Sequence, residues 1–268
     1  MLKIKLDDSH PLSLKEKIII NLYTVKIALK SRKIRTQDIV NSEYNFGGYN
    51  KNYALLNFES HDPNYDVKKD RIVNCNNKHV KCSFIEFEKN YNSMLLELLS
   101  DYKDESIVEM GCGLGPNLYL LHKTGFKNLK GYDLSENAII RAKEYSKKNQ
   151  LSIDFETYDL NQPFTKNMID GKMVFTNQCL EQCKLLMPNI LKNLVNGRPK
   201  IVVNFEVDYH SSSQRVKKYM DFQGYQNNLV SELQKLENQN KIEIISIERL
   251  PLSNNVFNIP SMIIWKVK

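Results

Sequence analysis

The sequence predicts an α/β fold: a seven-stranded, mostly parallel sheet with helices on both faces and a C-terminal antiparallel hairpin, preceded by a helical N-terminal cap. Three observations carry that expectation. From residue 106 onward, short apolar runs alternate with stretches of helical period. The first of those runs ends in a glycine-rich turn, Gly111-Cys112-Gly113-Leu114-Gly115. The last two runs are joined by an Asn- and Pro-rich loop, which suits a hairpin at a sheet edge.

Composition sets the bounds. The chain has 268 residues, 41% hydrophobic and 10% aromatic, enough for a sizeable core and too apolar for disorder or a disulfide-stapled scaffold. It divides at the change of pattern into residues 1–104, a cap or lid with substrate recognition, and residues 105–268, the regular α/β domain. The net charge is +7, yet 31 of the 38 basic residues are lysine and asparagine and isoleucine are abundant. That bias follows low-GC coding, so the charge is discounted as a sign of nucleic acid.

The charge is concentrated at the start. Residues 1–35 hold nine Lys/Arg against Asp7, Asp8 and Glu16. Leu14, Ile18, Leu22, Val25 and Leu29 recur there at helical spacing, which predicts a basic amphipathic helix. Such a helix either packs its stripe on the rest of the protein or lies on a membrane surface or anionic partner. No apolar run approaches the ~20 residues that span a bilayer, and no signal peptide is seen. The expectation is a soluble, cytoplasmic protein.

Five cysteines, an odd number without framework spacing, predict reduced thiols. Cys75, His79 and Cys82 offer three soft metal ligands without a fourth nearby, and Cys179 and Cys183 stand one helical turn apart without CxxC spacing. No metal site is assigned.

The elements follow in order. A polar, tyrosine-rich stretch covers residues 36–82, and an amphipathic helix runs over 83–102 with Phe84, Phe87, Tyr91, Met94, Leu95, Leu98 and Leu99 on its apolar side. Strands are expected at 106–110, 129–133, 153–159, 173–177, 200–207, 242–250 and 262–267. Helices are expected at 117–125, from the Ser135 cap to 149, at 180–196 closing on Gly197, and as one long polar helix to about residue 240.

The glycine turn narrows the chemistry. A strand running into glycines lets backbone approach a ligand, and the next helix offers free N–H groups. A dinucleotide fingerprint wants Gly-x-Gly-x-x-Gly/Ala, whereas here the glycines fall at 111, 113 and 115, with Pro116 in the last small position. A P-loop's Gly-Lys-Ser/Thr is absent.

Glu109-x-Gly111-x-Gly113-x-Gly115 resembles motif I of the class I S-adenosylmethionine-dependent methyltransferases, and the resemblance extends over roughly residues 105–268 in strand order. It implies S-adenosyl-L-methionine as cofactor. Glu109 would then lie near the methionine moiety, with Gly111, Gly113 and Gly115 passing beneath it. Asp133, next to Leu134, falls where the family's carboxylate takes the ribose hydroxyls. Asp159 and Leu160 fall where an acid meets the adenine amino group, and Asn177 ends the fourth strand beside them.

The acceptor is approached by absence. Thr176-Asn177-Gln178-Cys179-Leu180-Glu181 lacks the Asn/Asp-Pro-Pro-Tyr/Phe signature, and no Pro-Cys nucleophile or magnesium-binding aspartate cluster is evident. His210, oriented by Glu206 or Asp208, is the leading general-base candidate, with Glu181 after it. Gln178, Tyr209, Arg215 and a lid carrying Tyr44 and Tyr49 are the substrate-binding candidates, Arg215 with Lys217 and Lys218 for an anionic acceptor. The favoured reaction is O-methylation of a small polar metabolite, a sugar or phosphorylated precursor being the specific guess. A protein or RNA methyltransferase docking through the basic helix remains open, as does a non-catalytic module on the same fold.

Overall fold

The structure, a computed structural model, describes residues 3–28, 70–183, 187–209, 211–225, 228–254, 256–257 and 259–268. It opens with a two-residue strand, β1 (His10–Pro11), and a helix, α1 (Leu14–Ala28). A capping box starts α1. The Ser13 hydroxyl accepts from the Glu16 N–H at 3.3 Å, and the Glu16 carboxylate accepts from the Ser13 N–H at 2.8 Å. A hairpin follows, β2 (Arg71–Cys75) and β3 (Lys78–Cys82), turned by Asn76 and Asn77 at φ 47° and 63°. Asparagine is among the few side chains at ease in that left-handed backbone. Ser83 then caps α2 (Phe84–Leu99), which buries Phe84, Phe87, Tyr91, Met94, Leu95 and Leu99.

The main sheet is built from β4 (Ile107–Met110), α3 (Pro116–Lys123), β5 (Leu129–Asp133), α4 (Glu136–Lys148), β6 (Ile153–Thr157), β7 (Met173–Asn177), a 3-10 turn at Leu180–Gln182, α5 (Met187–Asn196), β8 (Ile201–Glu206), α6 (Gln214–Gln223), α7 (Leu229–Asn238), β9 (Ile242–Arg249), β10 (Leu252–Ser253) and β11 (Ser261–Val267). Seven of these strands pair in the order β6-β5-β4-β7-β8-β11-β9. All run parallel except β11, which is antiparallel to both neighbours. The expected architecture is present. Every residue of central β4 is buried, whereas edge strand β6 alternates buried Ile153 and Phe155 with exposed neighbours.

Several expectations needed correction. The polar, tyrosine-rich stretch up to residue 82, in which the sequence predicts no strand, ends in the β2–β3 hairpin, and β10 pairs with β2 to make a second sheet, β1-β3-β2-β10. The long polar helix after β8 is two helices, because Gly224 at φ 71° ends α6 in a left-handed cap. After β7 a short 3-10 turn precedes α5 in place of one continuous helix. The stripe on α1 does not pack. Leu14, Ile18, Leu22 and Val25 are 76%, 47%, 62% and 55% exposed, while Ile20, outside the stripe, joins Leu12, Tyr219 and Phe257. Leu29 lies outside the described residues.

Two cores flank the sheet. One joins α2, through Phe87, Tyr91, Met94, Leu95 and Leu99, to Ile107, Leu118, Phe175 and Phe205. The other gathers α5 and α7 under Val108, Val174, Val202 and Trp265. Among the described residues no helix is long and apolar enough to cross a membrane.

Candidate functional site

The carboxyl ends of β4, β5 and β6 lie side by side, and their loops form one half of the site. Gly111 takes φ 72°, and a Cβ there would stand 2.1 Å from Cys179 Sγ, so only glycine lets the turn pass under the loop after β7. Gly115 takes φ 83° as the cap of α3, with Phe155 filling the space a Cβ would need. The Gly113 N–H donates to Asp133 Oδ2 at 2.8 Å, and the Ser135 N–H donates to Oδ1 at 2.8 Å. These bonds fix the carboxylate and leave lone pairs for two further donors, as a vicinal diol requires. Burial raises the Asp133 pKa, and the two N–H donors oppose it.

Glu109 is fully buried. Its Oε1 accepts from Asn117 Nδ2 at 2.5 Å, while Oε2 has no hydrogen-bond partner. Burial pushes its pKa up to about 8, the Asn117 bond pulling down and the Asp133 charge adding. An orphaned carboxylate oxygen in the interior is costly unless a ligand brings a donor. The ammonium of an amino-acid moiety is such a donor, so these residues fit S-adenosylmethionine. Asp159, after β6, turns its own loop: Oδ1 accepts from the Asn161 N–H at 2.9 Å. Leu134 and Leu160 are half-buried beside the two aspartates.

The other half lies at the ends of β7 and β8. Glu206 is completely buried; its Oε1 accepts from the Cys179 and Leu180 N–H groups at 3.0 Å each, and Oε2 from the Glu181 N–H at 3.2 Å. Burial pushes its pKa up to about 7 against those donors. With its oxygens occupied, Glu206 holds the turn that carries Gln178 and Glu181. Glu181 is 4% exposed and accepts from Gln182 Nε2 at 3.2 Å.

Asn177 ends β7 and meets Tyr91 from α2, the Oδ1 accepting from the hydroxyl at 3.2 Å. Burial pushes the Tyr91 phenol up to about 12. Nothing near residue 91 in the sequence signals that role, since Tyr91 reads there as one of the apolar stripe. No sequence motif marks Thr176, Asn204 and Trp265 as partners either. Asn204 Nδ2 donates to Thr176 Oγ1 at 3.0 Å, and Trp265 Nε1 donates to Asn204 Oδ1 at 2.8 Å, a buried polar ladder across β7, β8 and β11.

Other expected residues are placed elsewhere. Arg215 donates through Nε to Thr24 Oγ1 at 2.8 Å and through a terminal nitrogen to the Ile20 carbonyl at 2.9 Å. It also lies over the Phe257 ring. It therefore docks α1 onto α6 and does not stand ready for an anionic acceptor. Tyr209 hydrogen-bonds Asp221 at 3.1 Å, which ties the loop after β8 to α6. In the β2–β3 hairpin, residues 75 and 82 share one face and residue 79 takes the other, so Cys75, His79 and Cys82 cannot converge on one ion. Tyr44, Tyr49 and His210 lie outside the described residues.

Residues 108–195 match the family model described as a methyltransferase domain. No curated protein matches the chain. Among solved structures, it is similar to a magnesium protoporphyrin IX methyltransferase from Synechocystis PCC 6803 with bound S-adenosylhomocysteine, at 12% identity and TM-score 0.58 over 87% of this chain and 100% of that one. The PH0226 protein of Pyrococcus horikoshii OT3 matches at 16% identity and TM-score 0.54, over 67% and 91% of the two chains. The N-methyltransferase NodS from Bradyrhizobium japonicum WM9, in complex with S-adenosylhomocysteine, matches at 16% and 0.52 over 68% and 87%. At these identities the likeness is one of fold.

Proposed function

From a chain that carries a class I S-adenosylmethionine-dependent methyltransferase domain and takes S-adenosyl-L-methionine as its cofactor, we propose that the acceptor is a small polar metabolite methylated on oxygen. The observation that carries this reading is Glu181, a buried carboxylate held on a fixed turn at the acceptor edge. When bound, the cofactor supplies a methyl carbon activated by a sulfonium. Glu109 would take its ammonium on Oε2, Asp133 its ribose hydroxyls, and Asp159 its adenine amino group, with Leu134 and Leu160 lining the same side and Asn177 standing at the end of β7, where the two halves meet. Glu181 and His210 are the candidate bases for the acceptor hydroxyl proton. Glu206 acts through the turn it holds, and Gln178 on that turn is the acceptor-binding candidate. The larger part of residues 1–104 serves recognition in this reading.

The first experiment is calorimetric titration with S-adenosylhomocysteine, with NADH for comparison. One-to-one binding of the former alone, abolished by Asp133→Ala, supports the cofactor assignments. Labelled methyl transfer to a panel of small alcohols and amines then tests the acceptor. O-methylation lost in Glu181→Gln with the cofactor affinity intact is expected; N-methylation indifferent to Glu181 would overturn the oxygen preference.

One observation favours a second reading. The exposed apolar stripe of α1, beside Lys15, Lys17 and Lys26, suits docking of a protein or RNA substrate. Substrate binding that weakens steeply with salt would select it.

A further inference from the structure

Arg215 has its Nε and one terminal nitrogen committed to α1; Arg249 is placed differently. Arg249 ends β9, and the register pairs it with Ser261 of β11, which in turn pairs with Glu206 of β8. Cross-strand partners point to the same face of a sheet. Arg249 therefore stands on the Glu206 face at the carboxyl edge, two strand spacings or roughly 10 Å from Glu206.

Its guanidinium is half-buried, and Nε is fully buried without a hydrogen-bond partner. Burial lowers its pKa while the charge of Asp208, the second residue after β8, acts the other way. Asp208 is itself buried, with Oδ2 accepting from the Ser211 N–H at 3.3 Å. An arginine stays charged throughout the ordinary pH range, so water has been removed from a cation whose N–H is unused. Leaving such a donor unpaired is costly, and a ligand with two oxygens matches the planar fork.

We infer that Arg249 anchors an anionic group, a phosphate or a carboxylate, carried by the methyl acceptor. The inference rests on the small-metabolite reading above and narrows it to an acceptor that brings its own oxyanion.

The test uses the full chain saturated with S-adenosylhomocysteine and titrated with inorganic phosphate and, in parallel, with acetate. Saturable binding of at least one is expected, the tighter of the two naming the group. It should weaken about ten-fold or more in Arg249→Gln, with S-adenosylhomocysteine affinity unchanged. A second measurement needs no variant. Phenylglyoxal labelling of the wild-type chain, read by mass spectrometry, should show Arg249 protected by the bound anion and exposed Arg198 unprotected. Should Arg249→Gln fail to fold, this labelling decides alone. Equal anion affinity in the variant, no saturable binding of either anion, or labelling of Arg249 indifferent to them would overturn the inference. A chain that fails to bind S-adenosylhomocysteine in the first place would count against the methyltransferase reading instead.

Discussion

The two halves of the site are held together over different lengths of chain. On the cofactor side, Asn117 bonds Glu109 eight residues away, and Gly113 bonds Asp133 twenty residues away. On the acceptor side, Tyr91 reaches Asn177 across 86 residues and Glu181 bonds Glu206 across 25. A site made of neighbours in sequence can be written as a motif. One assembled from distant elements depends on how those elements pack, and its side chains change role when the packing changes.

The largest expected effect breaks the separation between the halves. Gly111→Ala sets a Cβ against Cys179 in a backbone region alanine resists. It should cost on the order of 2–4 kcal/mol in stability by denaturant unfolding and abolish S-adenosylhomocysteine binding. Cys179→Gly in the same chain should recover part of that loss, which a purely local glycine effect would not allow.

Asp133→Ala comes next and sharpens the cofactor side. Removing the carboxylate proposed to receive the two ribose hydroxyls should weaken S-adenosylhomocysteine binding by roughly a hundred-fold or more, measured by calorimetry.

A pH effect follows from Glu109. Its folded value of about 8 lies above the ordinary carboxylate range, so the free protein holds this proton at neutrality. The stability it contributes is fully present below about 4.5, its ordinary value, and is lost as pH rises through about 8. Pairing with the cofactor ammonium needs the carboxylate, so binding should release a proton. Affinity for S-adenosylhomocysteine should therefore rise between pH 6.5 and 8, by up to roughly ten-fold per unit, and flatten above. Calorimetry in two buffers of different ionisation enthalpy measures the proton directly. Affinity in Glu109→Gln should lose the slope, and an unchanged slope would contradict the assignment.

The smallest effect is on the acceptor side. Tyr91→Phe removes the hydroxyl that both donates to and accepts from the Asn177 amide at the end of β7, for about 1–2 kcal/mol of stability. Its kcat should fall while cofactor affinity stays constant. Equal losses in both would mean that Tyr91 serves the cofactor half as well.

These lengths also explain what could be read before the structure. Strands β5 and β7 fall where the apolar runs place them, and Ser135 caps α4, because burial on both faces and capping are decided within a few residues. The β2–β3 hairpin leaves little trace in the sequence although Asn76 and Asn77 form its turn, because the lysines and polar residues around them mask the alternation. The α1 stripe was visible but its direction was not; Ile20 and Thr24 face α6 through partners the periodicity does not name. Arg215 and Arg249 are equivalent as letters. Only packing decides that one is spent on a helix and the other keeps an unused N–H.

The pairing of β10 with β2 has a consequence for biosynthesis. As the chain leaves the ribosome, β2 and β3 emerge early and can turn on themselves at once. The edge of β2 that β10 will cover stays open until the residues just before the last strand have been made. The small sheet is thus completed only after β4 to β9 have been translated, and its closing contact is among the most distant in the chain. Such late, non-local pairing is slow and leaves an unpaired strand edge exposed in the meantime. Translation order therefore leaves the small sheet, whose last strand comes from the far end of the chain, open to misassembly until synthesis is nearly complete.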